Sequence, residues 1–133
     1  VSALDTNLVL RLLLEDHPAQ SPATVAMVAK GRRSEFTVED VVLFECVWIL
    51  QGSAYGFDRR LIADLITELT RIEQIACNRL LISQVMPVYV HHKAVSFIDI
   101  ALAVYAELNG TGPLLTYDKK LAKALPHLVR LVA

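Results

Sequence analysis

Short apolar runs alternate with longer segments of helical period along almost the whole chain, and Gly, Pro, Asn or Asp marks most of the changes. That alternation is what βα units produce, and it argues against a helix bundle or an all-β sandwich. Residues 1–5 read as a short buried strand, followed by a helix from Thr6 to Leu14 that stops before His17-Pro18. A second helix is expected from Pro22 to Lys30, ending at Gly31, and a second strand from Glu35 to Val38. Glu39 to Gln51 is apolar nearly all round, which predicts a buried helix ended by Gly52. Asp58 opens an amphipathic helix to Arg71, with Leu61, Leu65, Ile66 and Leu69 on one face. Ile72 to Ala76 is a weak strand, and Asn78 is placed to cap a helix that Pro87 interrupts. Ser96 to Leu108 is a helix closed by Asn109-Gly110, Leu114 to Thr116 a short buried strand, Asp118 to Leu125 a helix, and His127 to Val132 a last strand. The expected fold class is α/β, a short central parallel sheet flanked by helices, and the 133 residues suit one domain.

Several function classes are disfavoured by composition. Arg11, Glu45, Arg59, Glu73 and Asp99 interrupt every apolar stretch before it reaches the ~18 residues of a spanning helix, so a membrane is not expected. The net charge of −1 provides no global positive field, so any contact with nucleic acid has to be local. The hydrophobic fraction is 54% and the mean hydropathy +0.44, a surplus that points to an apolar surface covered by a second copy or a partner. Cys46 and Cys77 fit neither a zinc spacing nor a disulfide framework, which makes a reducing cytoplasm the expected compartment. Val1-Ser-Ala-Leu lacks the basic and long apolar regions of a signal peptide.

Four carboxylates carry the chemistry. Asp5 ends the first strand ahead of Thr6-Asn7, and Asp118 follows Leu-Leu-Thr-Tyr and opens a helix, so each doubles as an N-cap. Ser96 and Asp99 have the spacing of a capping box. Glu45 lies between Val41-Val-Leu-Phe and Cys46-Val-Trp-Ile-Leu, where a buried carboxylate needs a cation, either a metal ion or an arginine such as Arg11 or Arg71. In an open parallel sheet the strand C-termini and the following helix N-termini share one edge, which would gather Asp5, Glu45, Asp99 and Asp118. Carboxylates so gathered repel one another unless a hard cation, Mg²⁺ or Mn²⁺, lies between them. Asn7 and Thr116 are suited either to orienting these ligands or to ordinary capping.

Ala3-Leu-Asp5-Thr-Asn7-Leu-Val-Leu-Arg-Leu-Leu, Val42-Leu-Phe-Glu45-Cys-Val-Trp-Ile-Leu, Phe97-Ile-Asp99-Ile-Ala-Leu-Ala and Leu114-Leu-Thr116-Tyr-Asp118-Lys-Lys-Leu-Ala, in that order, resemble the four acidic segments of PIN-domain ribonucleases of the VapC toxin type. The resemblance spans nearly the whole chain. It implies a PIN-like fold, metal-dependent endoribonuclease activity with Asp5, Glu45, Asp99 and Asp118 as metal ligands and Asn7 and Thr116 in support, an RNA substrate, a cognate antitoxin and a homodimer. Two departures stand out: Ser96 occupies a position where many relatives have a further acid, and the Val88–Val95 segment is atypical.

The basic groups Lys30-Gly-Arg32-Arg33, Arg59-Arg60 and Lys119-Lys120-Lys123 are scattered, the last beginning beside Asp118, where it is placed to hold RNA backbone or simply to solvate a helix. His17, His91, His92 and His127 have no metal-ligand spacing. Trp48, Tyr55 and Tyr105 read as core or interface aromatics rather than base-stacking platforms. Two alternatives remain: a metal-dependent DNA or flap-type nuclease using the same acids, and a small α/β signalling or binding module in which Asp5 acts alone.

Overall fold

A computed structural model describes residues 1–132. The chain is mixed α/β and falls into two compact units, residues 1–79 and 80–133, each with a small parallel sheet in place of the single central one expected.

The first unit runs β1 (Ser2–Ala3), α1 (Thr6–Leu14), α2 (Gln20–Ala29), β2 (Phe36–Thr37), α3 (Asp40–Gln51), α4 (Arg59–Leu69) and β3 (Ile75–Ala76). Its strands lie in sequence order and pair in parallel, with Ser2 opposite Phe36 and Phe36 opposite Ile75. Parallel neighbours require a crossover, and the helix pairs α1–α2 and α3–α4 provide the two. The ladders extend one residue past the strands, through Leu4 N to Thr37 O at 2.8 Å and Val38 N to Ala76 O at 2.9 Å. Strand β1 is not buried as expected, because it forms the sheet's edge and exposes Ser2 and Ala3; only Leu4 beyond it is enclosed.

The second unit follows α5 (Arg79–His91), which begins at the boundary, with α6 (Phe97–Leu108), β4 (Leu114–Thr116), α7 (Lys119–Ala124) and β5 (Val129–Leu131). Strands β4 and β5 are parallel, Leu114 opposite Val129 and Thr116 opposite Leu131. Here too the expected burial of a strand fails: Leu115 is 61% exposed, because its face of a two-stranded sheet has no layer over it among the described residues.

Three further departures have local causes. Helix α2 starts two residues before Pro22 because the His17 imidazole caps it, Nδ1 accepting from the backbone N–H groups of Ala19 (3.2 Å) and Gln20 (2.9 Å). Helix α5 runs through Pro87 without interruption; the missing hydrogen bond and ring crowding are offset by burial on both sides of it, at Leu81, Ile82, Val85, Met86 and Tyr89. On α4 the buried stripe is Ile62, Ala63, Ile66 and Leu69 while Leu61 is exposed, one position round from the expected face. Just beyond the Lys30 C-cap of α2, position 31 takes glycine for a packing reason, since a Cβ there would come within 2.5 Å of the Phe36 ring.

Buried side chains of the first unit include Val9, Leu10, Leu43, Val47, Leu50, Ile66 and Ile75, with α1 packed on α2, α3 and α4. The second unit buries Tyr89, Ile100, Ala103 and Val104, and Tyr89 meets Phe97 edge-on with ring centroids 5.4 Å apart. Among the described residues no helix is long and apolar enough to cross a membrane.

Candidate functional site

In the first unit, the parallel strands bring their C-terminal ends to one edge, carrying Asp5 after β1, Glu39-Asp40 after β2 and Cys77-Asn78 after β3. Asp5 is the N-cap of α1, one carboxylate oxygen accepting from Leu8 N at 3.0 Å. Its second oxygen makes no hydrogen bond or ion pair among the described residues and Asp5 is exposed, so the capping role leaves it able to bind a cation.

Glu45 departs most from expectation. It is exposed, not buried, because α3 turns Leu43, Cys46, Val47 and Leu50 inward and leaves Val41, Glu45 and Trp48 outside. The requirement for a compensating cation that burial would have imposed therefore does not arise. The arginines considered as its partners are engaged elsewhere, Arg11 with Asp16 at 3.0 Å and Arg71 with Glu68. The group that does reach Glu45 is the Thr6 hydroxyl, which donates to its carboxylate across 39 positions of sequence. Thr6 follows Asp5 directly, so this bond ties the middle of α3 to the first residue of α1, next in sequence to Asp5. A neutral hydroxyl leaves the full negative charge of Glu45 in place. Beneath it, the buried Cys46 thiol is pushed up to about 12, mainly by desolvation and further by the charge of Glu45.

Along the same edge a cavity of about 400 Å³ is lined by Thr37, Glu39, Asp40, Cys77 and Asn78 among others. Asn78 Nδ2 donates to Asp40 Oδ2 at 3.1 Å, linking the ends of β2 and β3. Asp40 was not singled out from the sequence, and Thr6 and Asn78 were marked there only as residues placed to cap helices.

In the second unit, Ser96 caps α6 by accepting from Asp99 N at 3.2 Å. The reciprocal half of the capping box is not made among the described residues, so the half-buried Asp99 carboxylate carries no hydrogen bond or ion pair there. Asp118 caps α7, accepting from Leu121 N at 3.1 Å, and its own backbone N–H donates to Thr116 Oγ1 at 3.0 Å. Thr116 thus fixes the turn that leads into Asp118. Lys119, Lys120 and Lys123 beside it are exposed. Asn7 is exposed in the first turn of α1. Cys46 and Cys77 are both free.

Taken singly, each of Asp5, Asp99 and Asp118 keeps at least one carboxylate oxygen uncommitted, and oxygen is the ligand type that a hard divalent cation prefers. Among the described residues, no three His, Cys, Asp or Glu side chains are grouped so as to hold a metal ion. No family model matches the chain, and no curated protein matches it.

Proposed function

We propose that this chain is a metal-dependent endoribonuclease with a PIN-like fold, of the VapC toxin type, in which Asp5, Glu45, Asp99 and Asp118 hold Mg²⁺ or Mn²⁺ and Asn7 and Thr116 support them. The observation that carries the proposal is the Thr6–Glu45 hydrogen bond, which joins the first two acidic segments of the resemblance on one exposed surface. Glu45 is held by a neutral donor, and neither Arg11 nor Arg71 pairs with it. The uncommitted carboxylate of Asp99 and the Thr116–Asp118 turn support the same reading in the other two segments.

When bound, the metal would activate water and offset charge on the attacked phosphate and leaving oxygen. The chain's own contribution is positional. Thr6 fixes the Glu45 carboxylate, the α1 and α7 caps fix one oxygen each of Asp5 and Asp118, and the lysines after Asp118 supply positive charge for RNA backbone. A cognate antitoxin, a homodimer and a cytoplasmic location belong to the same proposal; exposed Ile98 and Leu102, one turn apart on α6, are apolar surface of the kind a protein partner covers.

The test is incubation of purified chain with single-stranded RNA and single-stranded DNA, with Mn²⁺ or with chelator. Metal-dependent cleavage of RNA, lost in Glu45→Gln and Asp99→Asn, is the expected result. Cleavage of DNA alone, or none with either metal, overturns the proposal.

A further inference from the structure

The backbone donors that open α2 converge on one residue. His17 Nδ1 accepts from Ala19 N at 3.2 Å and Gln20 N at 2.9 Å, and the His17 carbonyl accepts from Ser21 N at 3.1 Å. Pro22, the next residue, has no N–H to satisfy. The tie is reciprocal, because the His17 backbone N–H donates to Ser21 Oγ at 3.1 Å, and Ser21 is buried. Helix starts are ordinarily capped by the side-chain oxygen of Ser, Thr, Asp or Asn. An imidazole nitrogen differs from those oxygens in one respect: it accepts only while it carries no proton.

We propose that His17 is a proton-operated latch on α2: the Nδ1 lone pair holds the first turn closed, and protonation of that atom opens it. Once protonated, Nδ1 is a donor facing two backbone donors, and the ring sets a positive charge at the positive end of the helix dipole. Both effects act against the closed turn, over the range of about pH 5–8 in which imidazoles change charge. Helix α2 itself carries no charged side chain, and α1, packed on it, carries only Arg11, which pairs with Asp16 at 3.0 Å. The connection between the two helices adds the acids Glu15 and Asp16, a residue type that changes charge at lower pH than imidazole. The latch needs nothing of the four candidate metal ligands, so it stands or falls apart from the ribonuclease reading.

The test is a set of NMR spectra of the full chain recorded from about pH 8 to about pH 5. At the upper end, His17 Nδ1 should resonate as an unprotonated ring nitrogen. On acidification the amides of Ala19, Gln20 and Ser21 are expected to shift along the titration curve of the His17 ring, with loss of helical Cα shifts from Gln20 to Ala23. His17→Asn supplies an oxygen that accepts from the same N–H groups and does not titrate, so its first turn should stay helical across the range. His17→Ala should lack that turn throughout. His91, His92 and His127 lie in the second unit and are the same in all three proteins. The latch is overturned by a proton on Nδ1 at the upper end, by amides that hold still while the ring titrates, or by a ring that does not titrate at all. It is equally overturned by a helical first turn in His17→Ala, or by the same acid-induced loss in His17→Asn, which would place the sensitive group elsewhere. Wild type and His17→Asn decide the outcome even where His17→Ala fails to fold.

Discussion

The two compact units hold their acidic residues in different ways. In the first, Glu45 is fixed by a hydroxyl 39 positions away, and Asn78 reaches Asp40 across 38. In the second, the side-chain hydrogen bonds at the candidate residues are local among the described residues, spanning three positions or fewer: Ser96 with Asp99, Thr116 with Asp118, Asp118 with Leu121. Long-range ties exist only once the sheet has formed, whereas caps form with their own helices. A substitution in the first set therefore reports on tertiary placement, and one in the second on local helix geometry.

The largest expected effect comes from removing charge while keeping shape. Glu45→Gln can still accept from Thr6, and Asp99→Asn keeps the Ser96 cap; both should lower metal-dependent cleavage by more than the ~100-fold that losing a supporting group costs, with melting temperatures close to wild type. Wild-type turnover in either would remove that residue as a ligand. A Glu45→Gln protein that melts well below wild type in chelator would instead give the carboxylate a structural role.

Thr6→Val isolates the long-range tie. It should weaken Mn²⁺ binding and activity by ~10–100-fold while lowering stability by only about 1 kcal/mol, with Thr6→Ser close to wild type. An equal loss in Thr6→Ser would show that the methyl group, not the hydroxyl, matters.

The matching change in the second unit is Asp118→Ala, which removes a cap as well as a ligand and should cost about 0.5–2 kcal/mol. Asp118→Asn should keep that stability and lose the activity. If both variants unfold alike, the cap on α7 contributes nothing, and the contrast between the units weakens.

The smaller effects concern pH. The folded chain keeps the Cys46 proton up to about 12, whereas an ordinary thiol releases it near 9.0. Folded protein thus binds more protons between those values, and stability falls as pH rises through that window. In chelator, unfolding free energies of wild type should decline more steeply with pH than those of Cys46→Ala; parallel slopes would contradict the burial argument. Glu35 works in the opposite direction and more weakly. The Arg32 backbone N–H bonded to its carboxylate holds it below the usual 4.5, so its contribution is present above that value and lost as pH falls through the lowered one. Glu35→Gln should flatten the acid side of the stability profile slightly, and an unchanged profile would leave that hydrogen bond without consequence.

How much of this was legible beforehand follows from the range of each interaction. The order of helices and strands, the parallel pairing, and the caps at Asp5, Ser96 and Asp118 came from the sequence, because periodicity and capping are settled by residues a few positions apart. What the sequence left undetermined was which way α3 faces. Its segment is apolar on every side, so periodicity specifies no inward face; packing against α1 and α4 chose one. That choice put Leu43, Cys46, Val47 and Leu50 in the core, and left Glu45 on the surface within reach of Thr6 and Trp48 in solvent, because contacts between elements distant in sequence outweigh small differences among the sides of a uniformly apolar helix.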